Sequence, residues 1–325
     1  MKDAKYQRPE LKMTETIREI PLACQDELAA VEFLEKQRWG NSPCCIHCGS
    51  TNCYKMMNAK TGGRSARFLW RCRDCKKQYT IRVGMVFEES RIELRHWVYA
   101  FWRGATSKKG VAALEIMRHT GLSYKSALFL MHRIRWAMAP SKAPTFKGDV
   151  EADETYVGGK PRRKNYERVR ADDYKRPASN KIQVVGIVER NGKIQRQVNT
   201  DVTHGNVRKM IVAQVDRKAR LLTDESRPYW GLNKWFKGGH ETVNHSIKEY
   251  ARGDVNTNTI ESSFALVKRG LHGIYHAVSQ EHLHRYLAHF DFLWNCRKMN
   301  DGDRTVLLIQ SAEGKRLMYH APGAA

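Results

Sequence analysis

The chain has 325 residues, of which 57 are Lys or Arg and 34 are Asp or Glu, so its formal net charge is +23. One ordinary domain takes roughly 100 to 200 residues, which excludes a single small module and predicts two or three domains. The cationic excess favours a polyanionic partner such as nucleic acid, although a basic enzyme without one also fits. No apolar run reaches the roughly 20 residues that cross a bilayer, and the N-terminus lacks a signal-peptide pattern. We therefore expect a cytoplasmic protein without a membrane partner.

Two C-x-x-C elements stand near the N-terminus, formed by Cys45, Cys48, Cys72 and Cys75. Cysteines are poor disulfide candidates in a reducing compartment, and this spacing on strand-like sequence is typical of four thiolates around one tetrahedral zinc. Small buried thiols are the alternative. Cys44 competes as the first ligand, but only its neighbour leaves two residues before the next cysteine. We predict a zinc ribbon with a short leading helix over residues 25–90.

The apolar periodicity of residues 91–140 predicts a helical region. Two apolar-periodic segments, VAALEIMRHTG and LSYKSALFLMHRIR, meet at Gly121, and Ser123 is placed to cap the second helix. This pattern is typical of a helix-turn-helix, although an ordinary helical hairpin with a solvated basic face would also produce it. The second helix of such a motif contacts DNA, which predicts DNA contacts from three of its cations. They are Lys125, Arg133 and Arg135.

A linker rich in Pro, Lys and Ala, APSKAPTFKG, precedes a half with alternating strand and helix signals. These signals predict a mixed sheet covered by helices over 146–300, followed by a C-terminal tail over 301–325. In the first strand, DVEADETYVGG, we expect Glu151 and Glu154 to face away from Asp153. A basic segment short of core residues follows that strand and is expected to track DNA. Its predicted contacts are Arg162, Arg163 and Lys164.

Three acids of this half lie where predicted core meets solvent. Asp153 follows the strand-like VEA, Asp224 ends the strand-like RLLTD, and Glu261 opens the last helix signal. Desolvated carboxylates are costly and repel one another, and divalent cations such as Mg²⁺ remove that difficulty. Lys268 lies seven residues after Glu261, so both project from one helix face, where the lysine could hold a phosphate. Taken singly, each acid also fits a structural role.

These motifs together resemble one family, the DDE transposases of bacterial insertion sequences, and in particular the insertion-sequence group numbered fifteen ninety-five. The resemblance is carried by RWGNSPCCIHCGS and WRCRDCKKQYTIRVGMVF in the ribbon, and by ADETYVGGK, LLTDESRPYW and VNHSIKEYARGDVNTNTIESSFALVKRGLHGIYHAVSQEHLHRYLAHFDF around the three acids. It extends from about residue 25 to 300, with the motifs in the family's order. Some members of the group replace the third acid, whereas this chain keeps glutamate.

The resemblance implies a multidomain α+β protein in which a zinc ribbon and a helix-turn-helix-like region precede an RNase H-like mixed-sheet catalytic domain. Asp153, Asp224 and Glu261 would hold two Mg²⁺ (or Mn²⁺) ions, one Zn²⁺ would be structural, and Lys268 and Arg269 would contact DNA. The implied reaction cuts the phosphodiester at a transposon end and joins the 3′-hydroxyl to target DNA. The implied partners are double-stranded DNA, as terminal inverted repeats and as target, and further copies of the chain when bound to DNA.

Two other functions fit the same sequence. A DNA-binding regulator would use the ribbon and the helix-turn-helix and have an inert second half. An RNase H-like metal-dependent nuclease would cut DNA without joining ends. A nucleoside triphosphate is not expected, because the chain lacks the G-x-x-x-x-G-K-[ST] pattern. Asn244 and His245 lie between the second and third acids, but the sequence supplies no geometry that would place them in the site.

Overall fold

The structure is a computed structural model that describes residues 13–158, 181–199, 203–247, 249 and 251–318, apart from the side chains of 13–15. Its helices are α1 (Met13–Gln25), α2 (Glu27–Trp39), α3 (Leu94–Thr106), α4 (Ala113–Thr120), α5 (Tyr124–Met138), α6 (His204–Gln214), α7 (Asn258–Gly270), α8 (Gln280–Asn295) and α9 (Asp301–Ser311). Its strands are β1 (Cys53–Lys55), β2 (Trp70–Cys72), β3 (Gln78–Tyr79), β4 (Asp149–Val157), β5 (Ile182–Glu189), β6 (Ile194–Asn199), β7 (Arg220–Asp224) and β8 (His240–Val243). None of the described helices is long and apolar enough to cross a membrane.

The chain divides into two compact units, and the first comprises Met1–Ala139 together with Cys296–Ala325. Helix α3 lies at its centre and packs against α1, α2, α5 and α9, with Trp97 and Phe101 fully buried. Helix α9 occupies part of the expected C-terminal tail, and its Leu308 and Ile309 are fully buried. Arg304 of α9 donates hydrogen bonds to backbone carbonyls of this unit. The expectation of a tail is therefore corrected, because an apolar helix face here completes a core.

The zinc-ribbon part of this unit is a small antiparallel sheet in the order β1-β2-β3. It is held to α2 through the buried carboxylate of Glu35, which accepts hydrogen bonds from Arg64 Nη2 at 2.6 Å and from Trp70 Nε1 at 2.7 Å. A buried carboxylate needs such donors because it has lost the water molecules that would otherwise hydrogen-bond to it. This contact orients the sheet, and with it the cysteine-bearing turns, on the helix.

Helices α4 and α5 meet as the sequence predicted. Gly121 ends α4 with a φ of +72°, and Ser123 Oγ accepts a hydrogen bond from the N–H of Ser126 at the start of α5. The second half of α5, however, is buried. Arg133 and Arg135 are 5% and 1% exposed, and their guanidinium groups donate to backbone carbonyls within the unit. Their predicted contacts with DNA are therefore corrected: both arginines hold α5 in the helical core.

The second unit, Pro140–Asn295, is built on one five-stranded sheet in the order β6-β5-β4-β7-β8. Strands β4, β5 and β6 are antiparallel neighbours, whereas β4, β7 and β8 run parallel to one another. Strand β5 is buried along nearly its whole length, as expected of a strand covered on both faces. The predicted fold class, an N-terminal zinc ribbon followed by a mixed α/β domain in a multidomain α+β chain, is confirmed.

Helices cover both faces of this sheet, and side chains alternate between them along each strand. One face packs against α6 in a core that includes Val150, Ala152, Val185, Ile187, Val207 and Ile211. The other face packs against α7 and α8 in a core that includes Val184, Val188, Ile260, Phe264, Leu283 and Leu287. Odd-numbered residues of β4 therefore face α7, and even-numbered residues face α6.

Glu151 joins β4 to the start of α7. Its carboxylate is fully buried and accepts hydrogen bonds from Ile260 N at 2.9 Å, Thr259 Oγ1 at 2.9 Å and Arg190 Nε at 2.8 Å. The expectation that Glu151 faces away from Asp153 is wrong, because residues two apart in a strand share a face. Glu151 lies on the α7 face and supplies the acceptor that the first turn of α7 needs.

We predict that Glu151→Ala destabilises this unit by about 3 kcal/mol, because Arg190 and the Ile260 N–H lose a buried anionic partner. The matched control is Asp149→Ala on the same strand, whose side chain is 42% exposed and lies 3.9 Å from Arg220. It should cost less than about 0.5 kcal/mol. Urea unfolding followed by circular dichroism measures both values. Equal midpoints for the two variants would contradict the role given to Glu151.

Candidate active site and metal centre

The structure gathers four cysteines of the ribbon into one cluster. Their sulfur atoms all lie within 4.8 Å of one another, with 3.6 Å between Cys45 and Cys75 and 3.7 Å between Cys48 and Cys72. Zinc–sulfur bonds of about 2.3 Å in a tetrahedron place sulfurs about 3.8 Å apart. The cluster therefore has the donor set and the spacing of a structural zinc site, and it contains Cys45, whereas the adjacent Cys44 is outside it.

Backbone geometry prepares the cluster for a cation. Hydrogen bonds from the backbone N–H groups of Cys75 and Asp74 lower the pKa of Cys72 to about 6. The thiolate is the form that ligates metal, so this shift favours binding at Cys72. Burial raises the pKa of Cys45, and, despite a hydrogen bond from the Ser50 backbone, burial and the neighbouring thiols raise the pKa of Cys48 to about 12. The N–H of His47 also points at the sulfur of Cys45, at 3.4 Å. Both contacts belong to the tight turns that each C-x-x-C pair makes.

The second site lies at one end of the five-stranded sheet, where β4 and β7 run side by side. Glu151 pairs with Leu222 in their parallel ladder. Two residues further along each strand stand Asp153 and Asp224, so the ladder brings both acids to the same face and the same level. Asp224 is oriented by Ser226, whose N–H and Oγ donate to its two oxygens at 3.0 and 2.7 Å.

Glu261 reaches these two acids from the first turn of α7. Its Oε1 accepts a hydrogen bond from Thr257 Oγ1 at 2.7 Å. The helix can lie this close to the sheet because Gly186, the partner of Asp153 in β5, has no side chain. A Cβ there would stand 2.7 Å from Ile260 and 2.8 Å from Phe264. A glycine thus permits the close packing that carries Glu261 towards the strand acids.

The Asp153 carboxyl is largely buried and lies within electrostatic range of the other two acids. Burial raises the pKa of Asp153 to about 7, with further increases from the charges of Asp224, Glu154 and Glu261 and a partly opposing hydrogen bond from the Glu154 N–H. Like charges and desolvation both disfavour the ionised form. Asp153 is thus an acid whose carboxylate lacks a compensating cation among the described residues around it.

This donor set fits divalent hard cations. Mg²⁺ prefers carboxylate oxygens and keeps positions open for water and phosphate. The acids form a looser group than the cysteines, since the cysteine cluster is the one described set with all donor atoms within 4.8 Å. The chemistry of the three carboxylates, rather than their spacing, is what fits divalent ions. The residues present are therefore compatible with the two-metal site that the sequence predicted.

Two residues outside the sequence-based site list also approach the acids. His245 Nε2 lies 3.8 Å from Glu261 Oε1, in the segment that follows β8. Ser226 holds Asp224 as described above. The sequence offered a signal for the histidine, its position between the second and third acids, but its distance from Glu261 depends on how β8 and α7 pack. Glu154 points to the other face, where its carboxylate accepts a hydrogen bond from buried Tyr229.

The remaining predicted cations divide by location. Lys268 and Arg269 are exposed in the last turn of α7, two turns after Glu261. Lys125 is exposed in the first turn of α5, the part of a recognition helix that contacts base edges. The cations of the basic segment after β4 lie outside the described residues. They are Arg162, Arg163 and Lys164.

Comparisons with known proteins identify transposase domains in both parts of the chain. A model of the ISXO2-like transposase domain matches residues 145–295, and a model of the transposase zinc-ribbon domain matches residues 25–78. A Halobacterium salinarum protein described as an uncharacterized protein in transposable element ISH50 is 29% identical over 275 residues. That alignment covers 81% of this chain and 89% of the relative.

A ribbon with four clustered thiols is followed by a mixed α/β domain, and the domain matches to both parts indicate a DNA-processing enzyme of the transposase class. Both matched domains occur in the order that this class requires. Two domain models of insertion-sequence transposases thus match this chain, the transposase zinc-ribbon domain and the ISXO2-like transposase domain. The resemblance found in the sequence motifs is thereby confirmed.

We predict that purified protein contains about one zinc per chain, and that Cys45→Ser lowers this to less than about a fifth of that amount. Cys44→Ser is the matched control, because Cys44 is the neighbouring thiol that stays outside the cluster. It should retain its zinc. Inductively coupled plasma mass spectrometry gives the ratio. Loss of zinc from the Cys44 variant with retention in the Cys45 variant would reverse the ligand assignment.

We also predict a pH-dependent stability difference between the wild type and Asp153→Asn. The folded-state pKa of Asp153, about 7, lies above its usual value of 3.8. Its contribution to stability is therefore fully present below pH 4 and lost as the pH rises to 7, because the unfolded carboxyl ionises freely over this range while the folded one keeps its proton. The wild type should fall progressively behind the variant over this window.

Thermal unfolding from pH 4 to 8 in magnesium-free buffer measures this difference. A chelator is avoided because it would strip structural zinc. At pH 8, added Mg²⁺ should raise the unfolding temperature of the wild type more than that of the variant, since a ligand stabilises the state that binds it. Parallel pH curves for the two proteins would refute the shifted pKa of Asp153.

Proposed function

We propose that this transposase binds the ends of its element, cuts the phosphodiester bond there and joins the freed 3′-hydroxyl to target DNA. The observation that supports the proposal is the parallel pairing of β4 with β7, two residues before Asp153 and Asp224, together with a raised pKa of Asp153 to which burial and the charges of Asp224 and Glu261 contribute. A DNA-binding regulator gains nothing from a group of acids whose burial and mutual repulsion destabilise the fold. Strained electrostatics of this kind are typical of catalytic sites.

The three acids would hold two Mg²⁺ (or Mn²⁺) ions. When bound, such ions activate an attacking oxygen and stabilise the leaving oxygen of an in-line displacement. The chain's own contribution is positional. Ser226 and Thr257 fix the carboxylates of Asp224 and Glu261, and the rigid sheet fixes Asp153 between them.

DNA contact is proposed for the exposed cations near the site and in the helical unit. Lys268 shares the exposed face of α7 with Glu261, so a phosphate beside the acids is within the reach of a long cationic side chain. Arg269 lies next to it, and Lys125 stands at the start of α5. We further propose that the chain is a homo-oligomer when bound to DNA, because one reaction must bring two ends of an element together.

We predict that Asp153→Asn, Asp224→Asn and Glu261→Gln each reduce cleavage and joining by more than about a hundredfold, since even indirect partners of metal ligands are worth 10- to 100-fold. DNA binding should be retained. Asp149→Asn is the matched control, an acid at the opposite end of β4, and should keep nearly full activity. The assay uses linear DNA carrying the sequences that flank the gene, a supercoiled target plasmid and Mg²⁺.

The products separate the three functions. Recombinant plasmids that carry the end sequence support strand transfer. Cleavage fragments without recombinants support the metal-dependent nuclease. If the wild type and all variants bind DNA but neither cleave nor join it, the result supports the regulator and would end the proposal.

A further inference from the structure

One exposed tryptophan stands directly after the catalytic strand β7. Trp230 is 61% exposed, the largest exposed fraction among the tryptophans with a large exposed surface, and Trp235 follows at 44%. Exposed tryptophan is unusual, because this side chain is highly buried on average. We propose that Trp230 is a stacking site for an unpaired nucleobase of the DNA strand that is handled at the acids. The inference deepens the proposed function and rests on it for the identity of the ligand.

The indole ring is fixed in place before any ligand arrives. Its Nε1 donates a hydrogen bond of 2.9 Å to the carbonyl of Glu225, the residue after Asp224. The carbonyl of Trp230 accepts a hydrogen bond of 2.6 Å from Arg208 Nη2 of α6. A ring held at its polar edge and at its backbone loses little freedom on binding, which favours affinity.

The loop that carries the ring is anchored in the core beside the active site. Tyr229, the preceding residue, is fully buried and donates a hydrogen bond to Glu154, the neighbour of Asp153. Ser226, four residues earlier, is hydrogen-bonded to Asp224. The platform is therefore tied at two points to residues next to, or part of, the acid group.

The positive charges near the Trp230 ring favour a negatively charged ligand such as nucleic acid. The Arg227 guanidinium carbon lies 5.9 Å from the centre of the Trp230 ring. The segment 227–237 contains three cations, Arg227, Lys234 and Lys237, and no acid. Exposed aromatic rings among cations are the features with which proteins bind single-stranded nucleic acid, because bases stack on the ring while the phosphates meet the cations. A neutral apolar protein partner would not need these charges.

A base can stack on Trp230 only if it is no longer stacked between its neighbours in the DNA. Within a duplex each base already has stacking neighbours, so the platform should discriminate between single-stranded and fully paired DNA. A strand that is cut near a DNA end can supply such a base at low cost. The position of Trp230, six residues after Asp224, is suited to hold the strand next to the bond that is cut.

The experiment uses the full-length protein without Mg²⁺, a fluorescein-labelled 15-residue oligothymidylate and a blunt duplex of the same length. Fluorescence anisotropy at one fixed salt concentration gives both dissociation constants. Trp230→Ala should weaken binding to the single strand about tenfold and leave duplex binding within about twofold. Trp230→Phe, which keeps an aromatic face but loses the Nε1 hydrogen bond, should retain most of the affinity. Trp235→Ala, an exposed tryptophan of the same loop, is the control and should behave as the wild type.

Three results would overturn the proposal. They are unchanged single-strand affinity in Trp230→Ala, an equal loss for single strand and duplex, and a lower mass in light scattering for Trp230→Ala than for the wild type, which would indicate that a second copy covers the ring. Thermal unfolding of Trp230→Ala must match the wild type; if it does not, Trp230→Leu, which keeps apolar bulk but has no aromatic face, carries the test with the same tenfold loss expected. Because binding is measured without catalysis, failure of the acid variants to lose activity would end the proposed function and leave this result standing.

Discussion

The hydrogen-bonded contact between Glu151 and the first turn of α7 is the constraint on which the active site depends. One buried carboxylate on β4 receives donors from Arg190, Thr259 and Ile260, so the helix can start only at that point of the sheet. Glu261 is the next residue of the helix. Its distance from Asp153 is therefore set by a structural acid two residues away on the same strand face.

The two acids of β4 on that face have opposite electrostatic situations. Glu151 is fully compensated, whereas burial and neighbouring carboxylates raise the pKa of Asp153. A buried carboxylate without a cationic partner or several hydrogen-bond donors is the one that a bound cation would stabilise most. Glu151 thus stabilises the fold, whereas Asp153 is left to bind the proposed metal ions. Such a division is common where function requires a group that stability alone would not tolerate.

Local sequence patterns predicted whatever depends on near neighbours. The two C-x-x-C pairs predicted a thiolate cluster because a tight turn brings both cysteines of a pair to one side, and pairing of β1 with β2 joins the two turns. The turn at Gly121 and the cap at Ser123 were predicted on similar grounds. The patterns failed for Arg133 and Arg135, because a basic helix face looks alike whether water or backbone carbonyls satisfy it. They failed for α9 because its partner helices are distant in the chain.

The sequence by itself determined the layout of the protein: a cysteine ribbon, a helical pair and a mixed sheet, with three acids placed on two of its strands and one helix. It also determined the family, since the motifs around those acids occur in a characteristic order. Only the tertiary structure decided that Glu151 anchors the start of α7, that His245 lies 3.8 Å from Glu261, and that Trp230 is exposed. The physical reason is that burial, pKa and hydrogen-bond partners depend on residues that are in some cases more than a hundred positions apart in the chain, which no local pattern of side chains encodes.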